Sequence, residues 1–324
     1  MPSPRPFSDI VNLDGLAGRK LVVTGGAGFI GSHLARRLVA LGADVHVVDD
    51  LSFGDALRVP ERATLHCLDV RDADALGPIF DGADVVFHLA AIASVQISTA
   101  SPLLTHSVNA LGTVAVLEAA RRASVGRVVY ASSSAVYGNQ PSPRLSEDLP
   151  ARPDNLYGLT KQEGELASAL FCRIHGLQVV SLRYFNVYGP SQNPEGPYAA
   201  VIARFVEASR AGKPLEVVGD GLQTRDFVAV EDVVAANLAA ATSPRVGAGE
   251  TLNIGTGRGT RILDIARMIG GDIEHVAERR EVRHSAADVS RAKELLGFSP
   301  RVELTEGLSR LLSFTEANVP QAVQ

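Results

Sequence analysis

The chain has 324 residues, 46% of them hydrophobic and 21% charged, with a formal net charge of −5 and a pI near 5.9. That acidic balance argues against nucleic-acid binding, because a basic excess supplies most of such affinity. No apolar run reads as long enough to cross a bilayer, and Cys67 and Cys172, far apart in apolar settings, read as core thiols; neither a disulfide framework nor a metal site is expected.

Residues 1–18 mix Pro, Asp and Arg without the apolar core or cleavage site of a secretory signal, and read as the leader of a cytoplasmic protein. From Lys20, β-branched apolar runs alternate with helical patterns. Strands are expected at 21–24, 45–49, 64–68, 85–89, 127–131 and 178–183, with helices at 33–41, 102–124 and 157–175. This order predicts an α/β fold, a doubly wound parallel sheet that gathers ligands at the carboxyl ends of its strands. Beyond Tyr184 a Pro/Gly/Asn-rich loop at 189–197 precedes an amphipathic helix at 198–211, a strand at 216–218, a helix at 231–242 and a strand at 251–254. Helices are expected again from Ile262 and over Ser290–Leu296. The predicted division is a dinucleotide-binding (Rossmann) domain over 19–185 with about 222–256, and a smaller substrate-binding domain from 186–221 and 257–318.

The first strand runs into Gly25-Gly26-Ala27-Gly28-Phe29-Ile30-Gly31, and a helix follows at once. Gly25, Gly28 and Gly31 suit a tight turn, close approach of the backbone to a pyrophosphate, and helix–strand packing. The diphosphate would rest on the amides and positive end of that helix. Asp49, followed by Asp50, ends the second strand, where a carboxylate accepts the adenosine ribose hydroxyls and favours NAD over NADP. The bland alternative is a loop cap. Asp69, at the end of the third strand, reads as an adenine contact or a turn residue.

Tyr157 and Lys161 lie four apart on a helix and so share a face. A phenol with a pKa of about 10 is a poor base, but an ammonium and an oxidised nicotinamide favour its phenolate. The strand at 127–131 delivers Ser132-Ser133-Ser134 to the carboxyl edge of the sheet, where a hydroxyl can bond a reacting sugar oxygen. A serine run elsewhere would be solvated filler.

These motifs resemble a known family. Thr24-Gly25-x-x-Gly28-x-x-Gly31, His88-Leu89-Ala90-Ala91, Ser132-Ser133-Ser134-Ala135-Val136-Tyr137-Gly138, Tyr157-x-x-x-Lys161 and Arg183-Tyr184-Phe185-Asn186-Val187-Tyr188-Gly189-Pro190 are similar to the extended short-chain dehydrogenases/reductases of the NAD-dependent epimerase/dehydratase group. The resemblance implies Ser133 as the catalytic hydroxyl, with Ser134 the alternative, Tyr157 as general base, and Lys161 as its electrostatic partner. It further implies NAD contacts from Gly25, Gly28, Phe29, Ile30, Gly31, Asp49, Asp50, Asp69, Val70, Leu89, Ala90, Ala91, Asn109, Tyr157, Lys161 and Tyr184. Asn109 would steady the active-site backbone or satisfy a buried polar network. A UDP-sugar would meet Ser133, Ser134, Asn186, Val217, Arg225, Arg280, Ser285 and Asp288.

Family members that dehydrate hexoses carry Asp-Glu where this chain has Ser134-Ala135, so the resemblance implies 4-epimerisation through a keto sugar. A 4-ketoreductase or 4,6-dehydratase is the enzymatic alternative, and a dinucleotide-sensing protein the non-enzymatic one. Glu278 stands where the family's second phosphate-binding Arg begins its segment, leaving Arg279 or Arg280 as substitutes. Ser285 aligns with the lining of the sugar's C2 pocket, where a small residue leaves room. The family's helix pair, here 102–124 and 157–175, implies a homodimer.

Overall fold

The structure, a computed structural model, describes residues 13–194, 200–278 and 282–314. In chain order the first half comprises β1 (Lys20–Thr24), α1 (Phe29–Ala40), β2 (Asp44–Asp49), β3 (Thr64–Cys67), α2 (Ala73–Phe80), β4 (Val85–His88), α3 (Val95–Ala100), α4 (Pro102–His106), α5 (Gly112–Arg122) and β5 (Arg127–Ser133). A π-helical turn, Ser107–Leu111, joins α4 to α5. The second half comprises β6 (Arg144–Leu145), α6 (Leu156–His175), β7 (Val179–Tyr184), β8 (Asn186–Tyr188), α7 (Val201–Arg210), β9 (Leu215–Val218), β10 (Thr224–Arg225), β11 (Phe227–Ala229), α8 (Val230–Thr242) and β12 (Ala248–Ile254). β13 (Thr260–Arg261), α9 (Ile262–Ile269), β14 (Ile273–Val276), β15 (Ala286–Ala287), α10 (Ser290–Leu296) and α11 (Leu304–Ser313) complete it.

The seven-stranded sheet has the order β12-β7-β5-β4-β1-β2-β3 and is parallel throughout. The chain winds outward from β1 in both directions, as the alternating pattern predicts. Because helices cover both faces, β4 and β7 are buried at every position, which explains why they are mostly apolar, His88, Ser181 and Arg183 excepted. One face packs on α1, α8 and α10 through Leu34, Leu38, Val233 and Leu296; the other packs on α2, α5 and α6 through Leu76, Phe80, Val116 and Phe171. A separate cluster, including Ile202, Phe205, Val217, Ile265 and Leu308, joins α7, β9, α9 and α11.

Several expectations change. Helix α2, absent from the pattern reading, holds Gly77 and Pro78, residues that ordinarily mark a loop, and starts because the Asp72 carboxylate accepts the Ala75 amide. The leader is anchored by Leu16, buried in the main core; residues 1–12 lie outside the described ones. Cys67 is exposed and not in the core, because β3 is an edge strand; Cys172 is half-buried, and both are free. The continuous helix Pro102–Arg122 resembles a membrane span by length and composition alone. In that stretch 56% is buried, and α5 packs against α2 and α6, as in a core helix.

Two charges are buried beneath the sheet's carboxyl edge. Arg183 of β7 donates from Nε and Nη2 to the Glu165 carboxylate of α6 at 2.8 and 2.7 Å, and Ser132 Oγ donates to the same carboxylate at 2.5 Å. The guanidinium also lies 4.7 Å from the centre of the Tyr137 ring, and Tyr137 Oη donates to Asn253 Oδ1 of β12 at 2.7 Å. Removing one member strands its partner in the dry interior. Arg183→Met should therefore lower unfolding free energy by about 3–5 kcal/mol in urea titration, and Arg183→Met with Glu165→Leu should recover much of the loss. A single-variant loss near zero would contradict the pairing.

Candidate active site

The glycine-rich turn joins β1 to α1, and its glycines do different work. Gly25 has φ 70°, and a Cβ there would sit 2.6 Å from the Ala90 amide nitrogen. A Cβ on Gly31 would lie 2.1 Å from the Gly25 carbonyl oxygen, so this glycine lets the first turn of α1 press on the loop. Gly28 has an ordinary φ of −78°, and its Cβ would meet only the Gly25 oxygen at 3.2 Å. No backbone strain requires a glycine at that point, and the crowding its Cβ would meet is milder than at Gly31. Its lack of a side chain leaves open the space before α1, whose N-cap carries no capping group, so the first amides are available to an anion.

Asp49, buried at the end of β2, accepts from the Ala27 amide at 3.0 Å and the Leu51 amide at 2.9 Å. Burial raises its pKa and these two amides oppose the rise. The acid expected to meet a ribose is thus also the clasp that holds the glycine turn to β2. Asp50 is exposed and accepts from Ser52. Arg71 engages the Asp69 carboxylate and holds its pKa below the usual range, while the side chain of Val70 is buried in the core, so only its backbone faces outward. Leu89, Ala90 and Ala91 continue β4 half-buried beside the turn; the Leu89 amide donates to Thr24 O and the Ala90 amide to Thr24 Oγ1. Tyr184, at the end of β7, donates its hydroxyl to Asn237.

Helix α6 brings Tyr157 to the serines. Asn155 Oδ1 accepts the Gly158 amide at 2.8 Å and starts the helix. A Cβ on Gly158 would lie 2.5 Å from the Ala135 carbonyl oxygen, so the helix can approach the turn after β5 only because this residue is glycine. Ser133 Oγ accepts the Ala135 amide at 3.1 Å, and the Ser133 side chain is near enough to the Tyr157 hydroxyl to favour its phenolate, with Ser134 opening the same turn. Lys161 is buried, donates to Ala131 O at 2.7 Å, and lies 5.1 Å and 6.0 Å from the ring centres of Tyr130 and Tyr157. Burial pushes the Lys161 ammonium down to about 7, opposed by Glu165. Burial also raises the Tyr157 phenol, opposed by Ser133. The expected phenolate depends on Lys161 together with an oxidised nicotinamide; in the protein by itself burial raises the phenol.

Asn109, given among the cofactor contacts, takes the buried-network role that was also expected of it. Its Oδ1 accepts the Ile92 amide at 2.8 Å, and its Nδ2 donates to Ile92 O at 3.2 Å and Thr160 Oγ1 at 3.1 Å. Val217, expected at the substrate, is a correction. It is fully buried in the α7–α9 cluster, because the period of two along β9 turns Glu216 and Val218 to the other side. Asn186 donates its amide and Nδ2 to Asp226 O. Arg225 is half-buried on β10, with Nη1 donating to Thr224 O. Asp226, fully buried, does not serve Arg225: it accepts from Thr256 N and Oγ1, Gly257 N and Ala287 N, tying β10 to the segment of Ser285. Ser285 is buried, and Asp288 accepts the Ser290 amide at 3.0 Å and faces Arg144 at 3.5 Å. Arg280, with Arg279, lies outside the described residues.

Residues 21–255 match the family model of the NAD dependent epimerase/dehydratase family. The chain belongs to that family. The UDP-glucose 4-epimerase of Mycolicibacterium smegmatis is 38% identical over 91% of this chain and 98% of its own length. The UDP-glucose 4-epimerase of Thermotoga maritima, solved with UDP-glucose, superposes with a TM-score of 0.87 at 37% identity over 91% of this chain and 97% of its own. A UDP-N-acetylglucosamine 4-epimerase from Methanobrevibacter ruminantium, in complex with UDP-N-acetylmuramic acid, gives 0.87 at 35% identity over 92% and 98%.

Sequence reasoning assigned no role to Thr24, His88, Thr113, Thr160, Glu165, Arg183 or Asp226, all buried and all polar. A signal was present in His88 and Arg183, which interrupt otherwise apolar strands, and in Glu165, one turn beyond Lys161 on the same face. The glycine assignment has a direct test. Gly31→Ala should cost about 1–3 kcal/mol of stability through overpacking. Gly28→Ala should leave the unfolding midpoint near wild type while weakening NAD binding measured by calorimetry. Equal effects of the two on stability would refute the distinction.

Proposed function

We propose that this family member is an NAD-dependent nucleotide-sugar 4-epimerase acting on UDP-hexoses. What carries the reading is the meeting of Ser133, Tyr157 and Lys161 at the sheet's carboxyl edge, with Ser134 and Ala135 in place of the acid and base that dehydration needs. The names of the relatives in Mycolicibacterium and Thermotoga support it.

In this reading the turn from Gly25 to Gly31, Asp49, and the backbone of 89–91 hold NAD, a fit supported by the open space at Gly28 and the uncapped amides of α1. Bound NAD supplies a hydride acceptor and, when oxidised, a positive charge that favours the phenolate. Ser133 donates to the sugar's 4-oxygen and holds it against Tyr157. Tyr157 Oη accepts the proton of the 4-hydroxyl as C4 becomes a ketone, and returns it when the turned sugar is reduced on its opposite face. Lys161, held by Ala131 O, keeps positive charge beside the phenolate as the proton moves.

The division of labour we propose gives NAD to residues 19–185 with about 222–256, and the UDP-sugar to 186–221 and 257–318, with Asn186, Arg225 and Ser285 among its contacts. We also propose a homodimer in the cytoplasm. Leu103, Leu104, Leu111 and Val114 on one helix pair with Leu159, Leu166, Leu170 and Ile174 on α6 as exposed apolar side chains, on the two helices the dimer would join. The free thiols of Cys67 and Cys172 suit a reducing compartment.

Purified protein should carry NAD and interconvert UDP-glucose and UDP-galactose with no added cofactor. Tyr157→Phe should slow that turnover by at least about a hundredfold, with the fold intact by circular dichroism. A variant near the wild-type rate removes Tyr157 from the chemistry. For the sugar, the small buried Ser285 supports tolerance of a 2-acetamido group. Ser285→Tyr should lower kcat/KM for UDP-N-acetylglucosamine about tenfold or more relative to UDP-glucose, because the ring excludes the larger substituent. Equal losses on both sugars would take Ser285 out of the C2 pocket.

A further inference from the structure

We propose that His88 is a positioning residue of this active site: a neutral imidazole, protonated on Nε2, that relays one-way hydrogen bonds from the glycine turn to the helix of Tyr157. His88 ends β4, buried between Thr24 of β1 and Thr113 of α5. Its Nδ1 is 2.8 Å from Thr24 Oγ1 and its Nε2 is 3.0 Å from Thr113 Oγ1.

The neighbours decide where the protons lie. Thr113 Oγ1 is 2.5 Å from the Asn109 carbonyl oxygen. A carbonyl cannot donate, so the single hydroxyl proton of Thr113 lies between those oxygens. Thr113 Oγ1 therefore accepts from His88, and Nε2 carries the proton. Were Nδ1 protonated as well, a buried imidazolium would stand near Lys161. Burial and that ammonium hold the ring's pKa down to about 3, which keeps it neutral. Nδ1 is then an acceptor, Thr24 Oγ1 donates to it, and the same Thr24 oxygen accepts the Ala90 amide at 3.2 Å.

The direction is thus fixed from the Ala90 amide through Thr24, His88 and Thr113 to the Asn109 carbonyl. From Asn109 the side chain continues to Ile92 and to Thr160 Oγ1, and Thr160 Oγ1 donates to the Tyr157 carbonyl oxygen at 2.9 Å. Tyr130, whose ring lies 5.6 Å from that of His88, flanks both the imidazole and Lys161. The π-turn at Ser107–Leu111 is where the chain of bonds crosses to α6, and such turns concentrate at functional sites. His88 touches none of the reacting atoms in this reading. It fixes the loop 90–92 against the base.

Only the kinetic arm of the test rests on the epimerase reading. Heteronuclear NMR of protein with isotope-labelled histidine, assigned by comparison with His88→Leu, should show a neutral Nε2–H tautomer. Its shifts should stay constant between about pH 5 and 8, the span in which an ordinary histidine changes charge. An Nδ1–H tautomer, or a titration in that span, overturns the proposal. Thr113→Val keeps the side chain's shape and removes the hydroxyl. It should lower kcat for UDP-glucose about tenfold or more with KM within about threefold, since a displaced base costs the chemical step and not binding. Thr113→Ser should stay within about threefold of wild type, and His88→Leu should follow Thr113→Val. An unchanged kcat in Thr113→Val, a loss confined to KM, or a serine variant as slow as the valine one overturns it. If His88→Leu does not fold, Thr113→Val carries the kinetic arm and assigns the spectrum through the resonance it shifts. A wild type that converts no UDP-sugar counts against the epimerase reading, and the tautomer then decides the relay.

Discussion

Helix α6 lies against β5 with no room for a side chain at two of its glycines. A Cβ at Gly158 would fall on the Ala135 carbonyl oxygen, and one at Gly164 would lie 2.2 Å from the Tyr130 hydroxyl. This close approach sets the rest of the site. It brings Tyr157 to Ser133, seats Lys161 on Ala131 O, and lets Glu165 meet Ser132 and Arg183 across the strand. Backbone packed that tightly leaves little space for apolar filling, so the inward face of α6 is built from Gly158, Thr160, Lys161, Gly164, Glu165 and Ser168. Each polar member has a partner in the protein. Three of the helix's four leucines, Leu159, Leu166 and Leu170, lie on its exposed side.

The electrostatics follow from that dryness. Desolvation moves Tyr157 and Lys161 toward their neutral forms, the phenol upward and the amine downward. A nearby cofactor charge therefore acts on an ammonium that burial has brought down to about 7 and on a phenol that needs such a charge to ionise. The pair Glu165–Arg183 is charge-balanced in itself and supports the lysine from one turn away.

The sheet was legible because its physics is local and repetitive: its strands are runs rich in β-branched and apolar residues that alternate with helical patterns. The glycine turn, Asp49 and the Tyr157–Lys161 pair were legible because spacing alone constrains them. Helix α2 was not, since its Gly77 and Pro78 speak for a loop and only packing on α5 overrides them. Val217 was misassigned because the alternation of a four-residue strand gives too few positions to set which face is inward. Asp226 and Glu165 were hidden for a different reason. Their partners lie 18 to 61 residues away, and no local pattern reports a buried polar contact at such separation.

Asp49 shows how one side chain can bind two traits into a single inheritance. Its carboxylate clasps Ala27 in the glycine turn while standing where a ribose would be read, and Gly54 passes so near that a Cβ there would lie 2.7 Å from Oδ1. A lineage drifting toward the phosphorylated dinucleotide cannot simply discard this acid, because the loop geometry would go with it. The open route runs through the neighbouring Asp50, which is exposed and braces only Ser52. With the ribose role proposed for Asp49, its hold on Ala27 and Leu51 ties cofactor preference to the loop's fold at that position.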